Sequence, residues 1–146
     1  MEQRFETFTV LITKINRNIR KIKNREMAEY NLKGPHISCL YFIYLSGGLT
    51  ATELCERCEE DKATVSRSLD FLEKNGFVFC RDQTKKRYKS PIELTSKGLE
   101  AAGKIAAKID SILETVSGQM SEGDRVIFYR FLTAVSDNIE KIAKEN

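Results

Sequence analysis

A chain of 146 residues has the length of one domain, with 41% hydrophobic residues to fill a core and 31% charged residues to cover it. The formal charge of +3 is too small to mark a polyanion partner by itself, so the placement of the charge carries the information. The N-terminal stretch is too polar for a signal peptide or a membrane span, which predicts a cytoplasmic protein with four reduced cysteines.

The first predicted element is an amphipathic helix over residues 5–31. Phe5, Phe8, Ile12, Ile15, Ile19 and Ile22 alternate by three and four residues, the spacing of a narrow helix-packing seam. Lys14, Arg17, Arg20, Lys21, Lys23 and Arg25 share this stretch with no acid among them. The segment Asn31 to Pro35 breaks the pattern, and Pro35 suits the first position of a second helix, His36 to Leu45, closed by Gly47-Gly48. His36 is the only histidine, and one isolated imidazole at a helix start fits a partly buried polar residue better than a metal ligand or a catalytic base.

A third helix starts at Thr50, whose hydroxyl can cap it, with Glu53 placed to reach back. Leu49 and Leu54, joined by Cys55 and Cys58, supply its inward face. After the short polar joint Glu59-Glu60-Asp61, Asp61 is placed to cap a fourth helix. Val65, Leu69 and Leu72 form its buried stripe, and Ala63, Arg67, Asp70 and Lys74 lie opposite, flanked by Lys62, Thr64 and Ser66. Two short helices so joined are a helix-turn-helix. The outward face suits the major groove: Arg67 can fork onto guanine, Lys62, Thr64 and Ser66 can meet bases or phosphates, and Ala63 admits a thymine methyl. Gly76 ends the fourth helix. Two strands follow, Phe77 to Cys80 and Pro91 to Leu94, around a loop in which Arg81, Lys85, Lys86, Arg87 and Lys89 face only Asp82 in opposition.

The run Leu49-Thr50 through Glu53-Leu54, Asp61 to Arg67, Leu72 to Val78, and Leu94-Thr95-Ser96-Lys97-Gly98 resembles the MarR family of bacterial winged-helix regulators, and the resemblance extends over nearly the whole chain. In this chain Lys85 stands two residues before Arg87, where the family usually has an acid, and Pro91 interrupts the return to Leu94-Thr95. The resemblance implies a transcription regulator built as two reading heads on a helical dimerisation region. Thr50 and Thr52 would meet backbone phosphates, and Lys86 and Arg87 of the wing would enter the minor groove. It further implies release from DNA by a signal, either a small aromatic acid or phenol lodged between head and dimer helices, or oxidation of a cysteine.

Beyond the wing, Thr95 can cap a helix carrying Leu99, Ala102, Ala106, Ile109, Leu113 and Val116. Ser121 can cap a last one carrying Phe128, Phe131, Leu132, Val135, Ile139 and Ile142. One head of this size cannot bury three such seams, whereas two copies can, and a two-fold dimer suits a near-palindromic DNA site. The expected fold is therefore mostly α. It is a winged helix-turn-helix over residues 34–95 with a two-strand β wing, between long dimerisation helices over residues 5–31 and 99–144.

Other classes remain to be weighed. Cys55-x-x-Cys58 has the spacing of a zinc or dithiol redox motif. A capped helix rather than a strand leads into it, however, and Cys39 and Cys80 make no second close pair. Small apolar residues in a helix are the simpler reading, with Cys39, Cys55, Cys58 and Cys80 kept as candidate redox residues. A helical adaptor without DNA binding has no need of a cationic hairpin. No nucleophile triad, phosphate-cradling loop or paired acidic site stands out, so neither an enzyme nor a bound cofactor or metal is expected.

Overall fold

The computed structural model describes residues 4–58, 60–86 and 89–145, apart from the Phe5 side chain. The described elements are α1 (Arg4–Glu26), α2 (Gly34–Ser46), α3 (Ala51–Cys58), α4 (Lys62–Lys74), β1 (Val78–Cys80), β2 (Ile92–Leu94), α5 (Ser96–Ser117) and α6 (Glu122–Lys144). This is a mostly helical winged helix-turn-helix. The chain divides into two compact units, Met1–Lys108 and Ile109–Asn146.

In the first unit α1 stops at Glu26, short of the expected end at residue 31, and a 3-10 turn at Ala28–Tyr30 follows. The reason is local. Met27 and Leu32 turn into the core, and Asn31 adopts a left-handed backbone with φ of 57° that ends any helix. Helix α2 begins at Gly34, so Pro35 occupies its second position, and the amide of Lys33 donates to His36 Nδ1 at 3.0 Å. The His36 ring stacks flat on Phe71 of α4, with centroids 4.2 Å apart.

Ile37, Cys39, Leu40 and Ile43 of α2 are buried with Leu54 of α3 and with Val65, Leu69 and Leu72 of α4. Each buried leucine contributes about 1.5–3 kcal/mol, several times the ~0.7 kcal/mol span of helix propensity among ordinary residues. Burial of this stripe therefore decides which face of α4 points outward. The C-terminus of α4 closes as a Schellman turn. Gly76 has φ of 78°, its amide donates to the Glu73 carbonyl at 3.1 Å, and the Phe77 amide donates to the Leu72 carbonyl at 2.8 Å.

Strands β1 and β2 pair antiparallel, with Val78 opposite Leu94, Phe79 opposite Glu93 and Cys80 opposite Ile92. A third partner was not apparent in the sequence. Leu49 exchanges both backbone hydrogen bonds with Ile92, at 2.7 and 3.2 Å, tying the entry of α3 to the returning strand. The Thr95 hydroxyl accepts from the Gly98 amide at 3.0 Å, as expected of a cap, and also donates to the Gly76 carbonyl at 2.6 Å. The early turns of α5 bury Ala101, Ala102 and Ile105, and Lys104 and Lys108 pair with Glu29 and Glu26 at 3.2 Å.

In the second unit Ser121 caps α6, accepting from the Asp124 amide at 3.1 Å. Leu113, Val116, Phe128, Phe131, Leu132, Ile139 and Ile142 are all exposed. Within the first unit Ile12 and Ile15 of α1 are exposed as well. No described helix is long and apolar enough to cross a membrane.

Candidate nucleic-acid interface

The two helices of the reading head begin on side-chain caps, so their first turns are fixed. Thr50 Oγ1 accepts from the Glu53 amide at 3.2 Å, and Asp61 Oδ1 accepts from the Thr64 amide at 2.6 Å. The bond from the Thr64 amide, joined by its hydroxyl and by the nearby Arg67 charge, holds the Asp61 carboxyl below the usual carboxylate range. Lys62, Ala63, Ser66 and Arg67 are exposed and Thr64 is half-buried. Arg67 Nη2 donates to Thr64 Oγ1 at 3.3 Å, which holds the guanidinium over the first turn of α4. Ser68, absent from the expected interface, is buried and returns its hydroxyl to the Thr64 carbonyl at 2.8 Å. In α3, Thr52 is exposed and Thr50 is half-buried under its capping bond. The outward edge of the helix-turn-helix is thus a short cationic, hydroxyl-bearing surface backed by an apolar stripe.

The wing is less cationic than its sequence suggests. Arg81 pairs with Glu93 across the strands at 2.9 Å, an opposition the loop sequence alone does not contain, and Asp82 lies 3.9 Å from Lys85. Glu93 holds the Arg81 pKa above its ordinary value, and Arg81 holds the Glu93 carboxyl below its own. Ser90 organises the loop from within. It is fully buried and its hydroxyl accepts from the Asp82 amide at 2.9 Å, while its own amide donates to the Lys86 carbonyl at 3.1 Å. Asp82 Oδ1 in turn accepts from the Thr84 amide and hydroxyl at 3.0 and 2.6 Å. Lys86 is exposed, and Arg87 lies outside the described residues.

A helix-turn-helix followed by such a hairpin has known counterparts. Residues 30–87 match the model of the MarR family. The winged helix is thus similar to that of the MarR family over these residues. The HTH-type transcriptional repressor YetL of Bacillus subtilis (strain 168) is 32% identical over 84 residues, which take in 58% of this chain and 50% of that repressor. The fold also matches two solved structures of Staphylococcus aureus proteins. One is MepR in complex with DNA, at a TM-score of 0.76 and 19% identity over 93% of this chain and 99% of that one. The other is MarR with salicylate and kanamycin, at 0.81 and 18% over 97% and 95%.

The four cysteines of this head are spread over α2, α3 and β1. Cys55 and Cys58 both lie on α3 and are half-buried, so neither completes the helix's inward face as Leu54 does. Cys39 of α2 is buried, and Cys58 together with burial raises its pKa, while Cys39 lowers that of Cys58. Cys80 lies on β1, half-buried. Among the described residues no group of three His, Cys, Asp or Glu side chains is placed to hold a metal ion.

Proposed function

We propose that this chain is a homodimeric, sequence-specific duplex-DNA-binding repressor of transcription acting in the cytoplasm. A small aromatic or phenolic ligand, or oxidation of a cysteine, releases it from DNA. The observation that carries the reading is the outward face of α4, where Lys62, Ala63, Ser66 and Arg67 stand exposed on a helix whose other side is locked into the core by Val65, Leu69 and Leu72. In the major groove such a helix offers Arg67 to a guanine, Thr64 and Ser66 to bases or phosphates, and Ala63 to a thymine methyl. Thr50 and Thr52 at the start of α3 contact phosphates, and Lys86 and Arg87 of the wing enter the minor groove, drawn by its negative potential.

The apolar rows support the dimer. Ile15 of α1 is 53% exposed, and Phe131 and Ile142 of α6 are 60% and 67% exposed. Rows of this length left open to water mark a surface meant for a partner, and a second copy supplies matching rows by symmetry.

The test separates the reading helix from the wing. Arg67→Ala weakens binding to a duplex selected from a random pool and narrows its margin over random duplex by about 1–3 kcal/mol. Arg87→Ala lowers both affinities together and reduces the salt slope by about one unit through the lost phosphate or groove contact. Both variants must remain folded and dimeric. A selected-to-random ratio unchanged by Arg67→Ala would remove α4 from the role of reader.

A further inference from the structure

Arg81 and Glu93 stand on the same face of the two-strand sheet. Glu93 is opposite Phe79, and the Arg81 amide donates to the Pro91 carbonyl at 2.9 Å, so the two charged residues are diagonal neighbours across the strands. Their ion pair, at 2.9 Å, is the shorter of the two described in the hairpin. Lys85 and Asp82 are 3.9 Å apart, and Asp82 already serves the amide and hydroxyl of Thr84.

The pair lies against the turn that leads into α3. A Cβ built on Gly48 stands 3.2 Å from Arg81 Nη2 and 3.5 Å from Glu93 Cγ, so the bare glycine leaves the room in which the guanidinium rests. Two residues on, Thr50 caps α3, and the pairing of Leu49 with Ile92 fixes this turn to β2. Arg81 is thereby set between the start of α3 and the hairpin loop, the two segments placed above beside the DNA backbone and the minor groove.

We propose that the Arg81 guanidinium is a backbone-phosphate site of the reading head, occupied in the free protein by the Glu93 carboxylate as an internal substitute for phosphate.

The proposal rests on the DNA-binding reading. A carboxylate and a phosphate both offer a guanidinium negatively charged oxygens that fit its planar fork. The bond from Nη2 to Oε1 is single, and a guanidinium carries five donors in all, so donors are left for a second acceptor. The Arg81 side chain is 54% exposed and that of Glu93 29%, and an ion pair this open to water is weak enough for a phosphate to compete with it. Glu93 cannot follow its partner, because its strand is held by the ladder with β1 and by Leu49, whereas the long arginine stem can swing. Exchange therefore leaves Glu93 as an uncompensated negative charge beside the DNA, which opposes the move. Binding to any duplex gains little from Arg81 while Glu93 is charged. Phosphate contacts carry no base sequence, so Glu93 limits the grip on DNA and leaves readout to α4.

The experiment measures binding of the full-length chain to a duplex selected from a random pool and to random duplex, across a salt series. Wild type, Glu93→Gln, Arg81→Gln and the double variant are compared, each checked for native circular dichroism. Glu93→Gln should bind both duplexes severalfold tighter and by the same factor. That advantage should shrink about 3.5-fold between 50 and 200 mM salt, the mark of one added phosphate contact. Arg81→Gln alone should change little, since the carboxylate already holds that side chain, and in the double variant the whole gain should vanish. Unchanged affinity in Glu93→Gln, with wild type binding duplex, overturns the proposal alone. A gain that persists in the double variant comes from general repulsion by Glu93 and overturns it as well. So does a gain confined to the selected duplex, or the loss of about one unit of salt slope in Arg81→Gln with Glu93 in place. Failure of all four forms to bind any duplex overturns the DNA-binding reading and the proposal together.

Discussion

Replacing Gly98 by alanine tests how rigidly the wing base is packed. A Cβ built on Gly98 lies 2.0 Å from the Phe77 carbonyl oxygen, 3.0 Å from its carbonyl carbon and 3.3 Å from Leu94 Cδ2. The two nearest atoms are backbone and have no rotamer by which to retreat, so α5 and the start of β1 must part by an ångström or more. The Phe77 oxygen is also the acceptor for the Thr95 amide at 3.0 Å, and such a displacement strains that bond. Overpacking of this kind costs about 1–3 kcal/mol, and the weakened hydrogen bond adds about 0.5–1.5 kcal/mol. The expected loss of about 1.5–4.5 kcal/mol is a large share of the ~5–15 kcal/mol that holds a domain folded. Urea denaturation followed by circular dichroism measures it. A loss below about 1 kcal/mol would show that the α5 start and β1 separate freely, and the close packing argued for the wing base would be refuted.

Further outcomes follow from other contacts. Asp61→Ala removes the acceptor of the Thr64 amide, so the first turn of α4 should exchange amide hydrogens faster, and selected-site DNA affinity should fall more than thermal stability. Ser90→Ala leaves the Asp82 amide without its buried acceptor, at about 1–3 kcal/mol, and hydrogen exchange should show loosening confined to residues 81–86. The His36 pKa is lowered by burial and by Lys33, so the unfolded chain takes the proton more readily than the folded one. The stability this group contributes is full above about pH 6.5 and is lost as pH falls through the lower folded value. His36→Gln should flatten that slope in denaturation titrations. Ile15→Asp with Ile19→Asp places two charges in the proposed dimer seam, and light scattering should report monomer or aggregate; a clean dimer with native DNA affinity would take α1 out of the interface.

What the sequence made legible was local. Asp61, Thr95 and Ser121 are visible as caps because their acceptors serve amides three residues on, and Gly76 is visible as a terminator because its backbone must turn left-handed. The outward face of α4 is equally plain, since Val65, Leu69 and Leu72 leave only one other side for Arg67. Contacts between distant segments were not legible. Nothing in the composition of Leu49 announces Ile92 as its partner, and Arg81 gives no sign that Glu93 rather than a phosphate will hold it. Cys58 points by spacing to Cys55, yet two residues three apart on one helix hold their sulfurs poorly for each other, and both stand half-buried and free. Ser90 looks like one more loop serine until its burial is seen. The seams of α1 and α6 announce an apolar face, but periodicity does not say whose side chains cover it.

The pairing of Leu49 with Ile92 has a consequence for how such a chain can diversify. It fastens the hairpin at its root, directly beside the first turn of α3. Positions inside and outside such a pairing tolerate insertions unequally. Doubling a loop adds only about 0.6 kcal/mol of closure entropy, so residues gained in the hairpin outside the bonds that Asp82, Thr84 and Ser90 make with one another cost little in chain closure. One residue added between Gly47 and Thr50 would instead throw Leu49 out of register with Ile92 and turn its side chain to water. The reach of the hairpin is therefore the dimension of this head that is free to vary in length, and the seat of its helices is the one that is not.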